Sequence, residues 1–458
     1  MTPRRPRRHP RRHPRRRPPR AGDPGLVIAA AFAVAIALGT GLLLLPVSSA
    51  GEAGASVLDS AFTATSAICV TGLVTVETGT HWSMAGQLVI LGLMQVGGLG
   101  FVTGATLLVV LVSRRLGLRA RLAAQAQSGN LDLSDVRRVL RNVVLFTAVG
   151  EAVTAVVLGM RLATAYDLAP GAAAWEGLFH AVSAFNNAGF VLWPENAATF
   201  AGDPWILLPV ALAVVVGGLG FPVMFELVRG WRPRTWSVTT RITVVTSGAL
   251  LVAGTVLLTA LEYRNPATLG PMGVGEKLLA GFFSAVMPRS GGFNVVEVGA
   301  MTPESWLATD VLMFIGGGSA STAGGIKVTT FGLLAAVLWA EVRGEADVDV
   351  GRRRIPLANQ RQALAVALLG VGLTMVSTFV LLGVSGQDLD RVLFEALSAL
   401  GTVGLSTGIT AELPGAGQVV LIVLMFVGRL GPLALASALA LRERPRHYQR
   451  PEERTIIG

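Results

Sequence analysis

The chain has 458 residues, 52% of them hydrophobic and only 14% charged, with a mean hydropathy of +0.59. A soluble domain carries roughly 25% charged residues, so this chain cannot clothe a water-facing surface, and an ordinary soluble enzyme is excluded. A single cysteine, Cys69, excludes an intrachain disulfide and a cysteine-based zinc site, and five histidines, including His9 and His13 near the N-terminus, do not suggest a metal cluster.

Residues 1–20 hold ten arginines and no acid, which equals the whole formal charge of +10, so the body of the chain is neutral. Proline interleaves these arginines, and residues 1–24 are expected to form a disordered, Arg/Pro-rich cytoplasmic tail. No folded nucleic-acid module follows it, so attraction to anionic lipid, at about 1 kcal/mol per charge, is favoured over nucleic-acid binding. The tail lacks the cleavage site of a signal peptide.

Eight apolar runs able to cross a bilayer follow, at 26–47, 84–112, 139–160, 205–228, 240–261, 306–340, 361–384 and 417–441. The linkers between them alternate in charge. Those at 113–138, 229–241 and 341–361 are rich in arginine, whereas 48–83 contains Glu52, Asp59 and Glu77 and no Lys or Arg. The positive-inside rule therefore predicts a multi-pass protein of the plasma membrane with both termini cytoplasmic.

Each outer linker also holds an apolar stretch too short to cross, at 56–68, 174–186, 277–288 and 391–400, followed by a turn containing glycine. Such stretches read as re-entrant helices. Non-helical backbone at that depth is tolerated only when buried in protein or lining a cavity. The unit of helix, pore helix, turn and helix occurs four times, over 25–115, 134–231, 237–343 and 357–442, before a short cytoplasmic tail at 443–458. The expected fold is an all-α integral membrane protein of four tandem helix–pore loop–helix units, with eight transmembrane helices in pseudo-fourfold arrangement around a central pore.

The turns are alike: Ser66-Ala-Ile-Cys-Val-Thr-Gly72, Ser183-Ala-Phe-Asn-Asn-Ala-Gly189, Val286-Met-Pro-Arg-Ser-Gly-Gly292 and Ser398-Ala-Leu-Gly-Thr-Val-Gly404. A second motif follows each at 25, 28, 24 and 24 residues: Gly97-Gly-Leu-Gly-Phe, Gly217-Gly-Leu-Gly-Phe, Gly316-Gly-Gly-Ser-Ala and Gly428-Arg-Leu-Gly-Pro. One such motif alone marks helix packing, but two motifs holding nearly one spacing through four units predict one turn per unit around a shared axis. Potassium-channel filters are four loops whose backbone carbonyls replace the ion's hydration shell. Thr402-Val403-Gly404 matches the opening of that filter's sequence.

Two further features stand out. Arg429 lies inside an apolar helix at the place held by Gly98 and Gly218 in the earlier units, where insertion costs about 2.5–3.5 kcal/mol. It is read as a positive charge on the axis, with a salt bridge to an acid such as Glu226 as the alternative. The segment Gly316–Gly325 is half glycine and interrupts the sixth span, as a gate or ion site does; Lys327 follows it and either pairs with an acid or approaches the loop. Asn186 and Asn187 hydrogen-bond behind the second turn or face the ion. Cys69 reads as packing, and His81 and His180 fall at or near the outer face without a metal-ligand companion.

The stretches Cys69-Val-Thr-Gly-Leu-Val-Thr75, Phe185-Asn-Asn-Ala-Gly-Phe190, Gly401-Thr-Val-Gly-Leu-Ser-Thr-Gly408 and Phe426-Val-Gly-Arg-Leu-Gly-Pro432 resemble the Trk/Ktr/HKT superfamily of potassium transporters, most closely its bacterial Ktr-type membrane subunit, over about residues 25–445. The resemblance implies a selectivity filter of Val70, Thr71 and Gly72; Asn187, Ala188 and Gly189; Ser290, Gly291 and Gly292; and Thr402, Val403 and Gly404. Potassium would be held by the filter's backbone carbonyls only. The implied gate is Gly316, Gly317, Gly318, Gly324, Gly325, Lys327 and Arg429. Also implied are a homodimer with one pore per protomer, a cytoplasmic ring of nucleotide-binding regulatory subunits, no covalently bound cofactor, and potassium as substrate with sodium stimulating or accompanying it. Glycine rather than serine at position 72 favours potassium. The third turn departs from the pattern, with Met287-Pro288 where many relatives carry two threonines and Gly291 before Gly292. The expected function is potassium uptake; the alternative is a secondary transporter of another small cation or solute. No enzyme motif falls within the spans.

Overall fold

Apolar sequence in a chain this poor in charge has to form helices that satisfy their own backbone. The computed structural model describes residues 24–441 apart from 52–53, 116–132, 195, 231, 234, 346 and 352. In chain order the helices are α1 (Pro24–Leu43), α2 (Val57–Cys69), α3 (Met84–Arg115), α4 (Leu133–Ala165), α5 (Pro170–Phe185), α6 (Pro204–Leu219), α7 (Phe221–Arg229), α8 (Val238–Glu262), α9 (Val274–Val286), α10 (Pro303–Phe314), α11 (Val328–Arg343), α12 (Leu357–Ser385), α13 (Leu389–Gly401) and α14 (Gly415–Leu441). A small antiparallel hairpin, β1 (Asp349–Val350) with β2 (Arg353–Arg354), joins α11 to α12. The tail expected over 1–24, whose last residue opens α1, the tail at 443–458 and the centre of the linker 113–138 lie outside the described residues.

Among the described residues, α1, α4, α8 and α12 are long and apolar enough to cross a membrane, and the bent pair α6–α7 is so when its two helices are taken together. The other three expected spans correspond to α3 and α14, in each of which the described apolar stretch is shorter, and to the pair α10 and α11, which is broken as the glycine run predicts. The spanning helices present Val149, Val153, Val252, Val256, Leu368 and Phe379 outward. The short helices invert this pattern: in α2 every residue from Phe62 to Cys69 is buried, hydroxyls included. Lipid thus meets apolar side chains, while polar groups sit inside.

Closure of the ring follows from one repeated contact. The second helix of each unit packs on the pore helix of the next: α3 on α5, α6 on α9, α10 on α13 and α14 on α2. In units one, two and four a glycine contact accounts for the nearly equal spacing. A β-carbon on Gly97 would run into the carbonyl of Ile68, one on Gly217 into that of Phe185, and one on Gly428 into that of Leu400. Each of these carbonyls lies four residues before a turn glycine.

Two departures from the expected pattern have local causes. The third pore helix, α9, stops at Val286, six residues before Gly292, because Pro288 has no N–H to continue it. The fourth span is bent by 101° at Gly220, which has φ 96° and is followed by Pro222 within the first turn of α7. The sequence motif Gly217-Gly-Leu-Gly-Phe therefore ends a helix instead of running through one.

Replacing Gly97 or Gly428 by valine should destabilise the protein by about 1–3 kcal/mol through overpacking. Gly92→Val, where nothing lies within 4 Å of the new atom, should melt with the parent. Thermal unfolding in detergent separates the two outcomes.

Candidate functional site

After each pore helix the chain takes the same two left-handed steps. Val70, Asn187, Ser290 and Thr402 have φ of 57, 58, 76 and 48°, and two residues later Gly72, Gly189, Gly292 and Gly404 have φ of 91, 71, 71 and 95°. Glycine adopts this region without strain. For β-branched Val70 and Thr402 it costs on the order of 1–3 kcal/mol each, strain that persists only where the surroundings over-determine it and that clusters at functional sites.

The four glycines meet edge to edge. A β-carbon on Gly72 would lie 2.8 Å from the Cα of Gly189, one on Gly189 2.9 Å from that of Gly292, and one on Gly404 3.1 Å from those of both Gly292 and Gly72. The cyclic order is thus that of the units. No side chain fits at these positions, so the backbone itself lines the axis. Side chains of Val70, Thr71, Asn187, Ala188, Ser290, Thr402 and Val403 are fully buried behind it.

Many backbone donors in these segments are taken up internally. Thr71 and Val403 donate N–H to the carbonyls of Ser66 and Ser398 at 2.8 Å, and Ala188 donates to that of Ser183 at 2.7 Å. The hydroxyls of Ser66 and Ser398 accept the N–H of Gly72 and Gly404 at 3.0 and 3.2 Å. The third unit has Val286 at the serine position, and Gly291 donates instead to the Met287 carbonyl at 2.8 Å.

On one side of the ring is a cavity of about 750 Å³ whose floor is the four glycines. Its charged lining residues, among those described, are Glu77 and Glu297. Each stands five residues after its turn glycine, in units one and three, on opposite sides of the ring. Sequence reading noted Glu77 only as part of a basic-poor linker.

On the other side lies the segment between α10 and α11. It is held by a parallel bridge between Ile315 and Ile326 and by carbonyls freed at the α6–α7 bend: Gly318 donates to Gly218 at 2.8 Å and Thr322 to Gly217 at 3.4 Å. Thr322 also donates its hydroxyl to Asn187 Oδ1 at 2.6 Å, and Gly324 its N–H to the hydroxyl of Ser290 at 3.2 Å. A β-carbon on Gly324 would collide with the side chain of Thr402. The segment is therefore wedged against three of the four turns. Arg429, 1% exposed, donates Nη1 to the Thr322 carbonyl and Nη2 to the Gly97 carbonyl at 3.1 Å, joining the fourth unit to this segment and to the first unit. Lys327 donates to the Ala323 carbonyl at 2.5 Å, so it approaches the loop.

Glu226, the acid named as an alternative partner for Arg429, is engaged elsewhere: it accepts from the Ser237 N–H and hydroxyl at 2.6 and 2.8 Å and from Thr240. Both asparagines bond behind the second turn. Asn186 donates to Gln95, Glu151 and the Val182 carbonyl, and Asn187 donates to the Val214 carbonyl at 3.2 Å. Cys69 is buried. His180 is fully buried, its ring stacked on Trp193 at 3.6 Å. One element was missed. Arg289, 8% exposed, ties the third turn to α8 through the Ser247 carbonyl and hydroxyl, both at 2.9 Å. The available signal was an arginine beside an apolar pore-helix stretch.

A family model described as TrkH, cation transport protein, matches residues 7–446. The chain is 40% identical to the Ktr system potassium uptake protein B of Bacillus subtilis over 92% of this chain and 94% of that protein. It is 37% identical to the protein of that name from Vibrio alginolyticus, over 96% of each. It is 32% identical to the potassium/sodium uptake protein NtpJ of Enterococcus hirae, over 95% and 97%. The crystal structure of the potassium transporter TrkH from Vibrio parahaemolyticus has the same fold, with a TM-score of 0.69 at 18% identity, over 93% of this chain and 86% of that one.

The Arg429 bonds have a measurable consequence. In a Cys69→Ala, Ser321→Cys chain, the buried thiol at 321 should react slowly with a hydrophilic thiol reagent. Adding Arg429→Met should speed the reaction roughly tenfold, as expected for losing a charged hydrogen bond of about 1.5 kcal/mol.

Proposed function

We propose that this chain, which belongs to the TrkH family of cation transport proteins, is the ion-translocating membrane subunit of a potassium-uptake system. The observation that carries the reading is the ring: four left-handed glycines, one per unit, meeting at the floor of a cavity whose charged residues are acids. Backbone oxygens from Val70 to Gly72, Asn187 to Gly189, Ser290 to Gly292 and Thr402 to Gly404 would replace water around a monovalent cation. Each pore helix ends just before its turn, so four C-terminal dipole ends add negative potential there. The cargo is potassium and the protein needs no resident metal or covalent cofactor in this role.

Uptake would be driven by the membrane potential, which supplies about 2.3 kcal/mol per charge per 100 mV, or roughly fifty-fold accumulation. Sodium accompanies or stimulates it in this reading, which the name of the Enterococcus relative supports. The segment Gly316–Gly325 with Lys327 and Arg429 is the gate. The protein works as a homodimer, with a pore in each protomer, under a cytoplasmic ring of nucleotide-binding subunits; the relatives named as parts of a Ktr system support such partners. Both termini and the arginine-rich linkers lie in the cytoplasm by the positive-inside rule, which puts the acidic cavity outside.

Growth of a potassium-uptake-deficient bacterium at low external potassium tests the reading. The parent chain should restore growth, and Gly292→Asp and Gly404→Asp should not; equal rescue by all three would sink the filter assignment. The acids make a second expectation. Glu77→Gln with Glu297→Gln should lower uptake at low potassium by about three- to tenfold through lost electrostatic focusing. The deficit should shrink at high ionic strength, where charges are screened within about 3 Å at 1 M salt.

A further inference from the structure

A second pattern runs through the four units just behind the ring. Nine residues before its filter glycine, each pore helix carries Thr63, His180, Phe283 or Glu395, all buried. In the second unit Nε2 of His180 accepts the backbone N–H of Leu192 at 3.0 Å. In the fourth, a carboxylate oxygen of Glu395 accepts the N–H of Thr407 at 3.0 Å. Leu192 and Thr407 each stand three residues after their filter glycine, so the two bonds are equivalent. The other units differ. The Thr63 hydroxyl has no hydrogen-bond partner among the described residues, and Phe283 has no acceptor to offer.

Both side chains are themselves fixed. His180 Nδ1 lies 2.7 Å from the carbonyl of Glu176, and the ring is stacked on Trp193 with 12° between planes. A carbonyl only accepts and a backbone N–H only donates, so the ring is neutral with its proton on Nδ1. Glu395, fully buried, also accepts the hydroxyls of Ser406 at 2.5 Å and Thr410 at 2.8 Å. The Ser406 hydroxyl in turn accepts the N–H of Gly408 at 2.9 Å. One carboxylate thus gathers the strand that leaves the fourth turn.

We propose that His180 and Glu395 are a pair of positioning residues that hold the outer ends of the second and fourth filter segments, which face each other across the ring, and so set its discrimination between potassium and sodium. This rests on reading the ring as a filter. A small ion is discriminated by how closely opposed oxygens can approach it, and positioning tolerances are tight: in enzymes, misplacing a reacting group by about 1 Å costs up to a hundredfold. Two opposed anchors fix one diameter of the ring directly; the other diameter carries the cavity acids Glu77 and Glu297.

The test is competitive uptake of potassium and sodium by the full chain in proteoliposomes. His180→Phe and Glu395→Leu keep bulk but remove the acceptor, and each should lower the potassium-to-sodium ratio by about fivefold or more. His180→Gln and Glu395→Gln keep an acceptor and should stay within about twofold of the parent. Thr63→Val and Phe283→Leu, at the positions without the bond, should leave the ratio unchanged. The milder Glu395→Asp, one methylene too short for Thr407, is expected to insert normally and to lower the ratio by about two- to threefold. A parental ratio in Glu395→Asp, or in folded His180→Phe, overturns the proposal, as does an equal fall in Thr63→Val. A parent chain that shows no preference for potassium overturns the filter reading instead, so the two failures are distinct.

Discussion

Irregular backbone inside a membrane has no water to bond, and the whole arrangement depends on meeting that constraint four times in one place. The pore helices meet it by turning their own C-terminal carbonyls and hydroxyls onto the donors that follow. Ser66 and Ser398 each take two successive N–H groups, one on the carbonyl and one on the hydroxyl. Once the donors are used, carbonyl oxygens are the polar groups left to a ring that no side chain can enter. A dehydrated cation is the partner such a ring suits, because in units one and four the donors an anion would need are already spent.

Placing four units in one chain lets them diverge, and the divergence follows the diagonals. Units two and four brace the chain three residues beyond their turn glycines with His180 and Glu395, while units one and three put Glu77 and Glu297 into the cavity. The second helices diverge further. The first keeps Gly97-Gly-Leu-Gly-Phe within a helix, the second breaks at Gly220, the third opens into the segment after Ile315, and the fourth replaces its second glycine by Arg429. Gly98 is not idle in this scheme. A β-carbon there would strike the side chain of Asn186, so the small residue in unit one makes room for the network that backs the second turn.

What could be read from the sequence is what the backbone dictates locally. A turn glycine is legible because left-handed φ excludes most other residues, and a pore helix is legible because its length cannot cross a bilayer. The glycine run at 316–325 was legible as a break for the same reason. The bend at Gly220 was not, although Gly220 and Pro222 are both signals, because the same motif in unit one stays helical; what decides is the third unit's segment, which takes the carbonyls of Gly217 and Gly218. The roles of Arg289, Glu395 and His180 were not legible for another reason. A buried polar side chain reveals its purpose only when the donors and acceptors that satisfy it, such as Ser247, Thr407 and Leu192, are in view.

The segment beneath the ring is bonded to residues of the ring's turns themselves, and in the proposed reading this makes gate and filter one energetic object. Thr322 to Asn187 and Gly324 to Ser290 are neutral hydrogen bonds, each contributing about 0.5–1.5 kcal/mol. Withdrawing the segment breaks both, at a cost of about 1–3 kcal/mol, and so leaves the withdrawn state a minor one in the absence of a partner. Ser290 also donates its hydroxyl to the Thr402 carbonyl at 2.5 Å, carrying the contact on to the fourth turn. Coupling of that size is reciprocal. An ion that stiffens the second, third and fourth turns must favour the seated segment, and whatever draws the segment away must loosen the ring by the same free energy. A gate built from glycine can move at little steric cost, so the hydrogen bonds to the filter, more than the backbone, set how often it does.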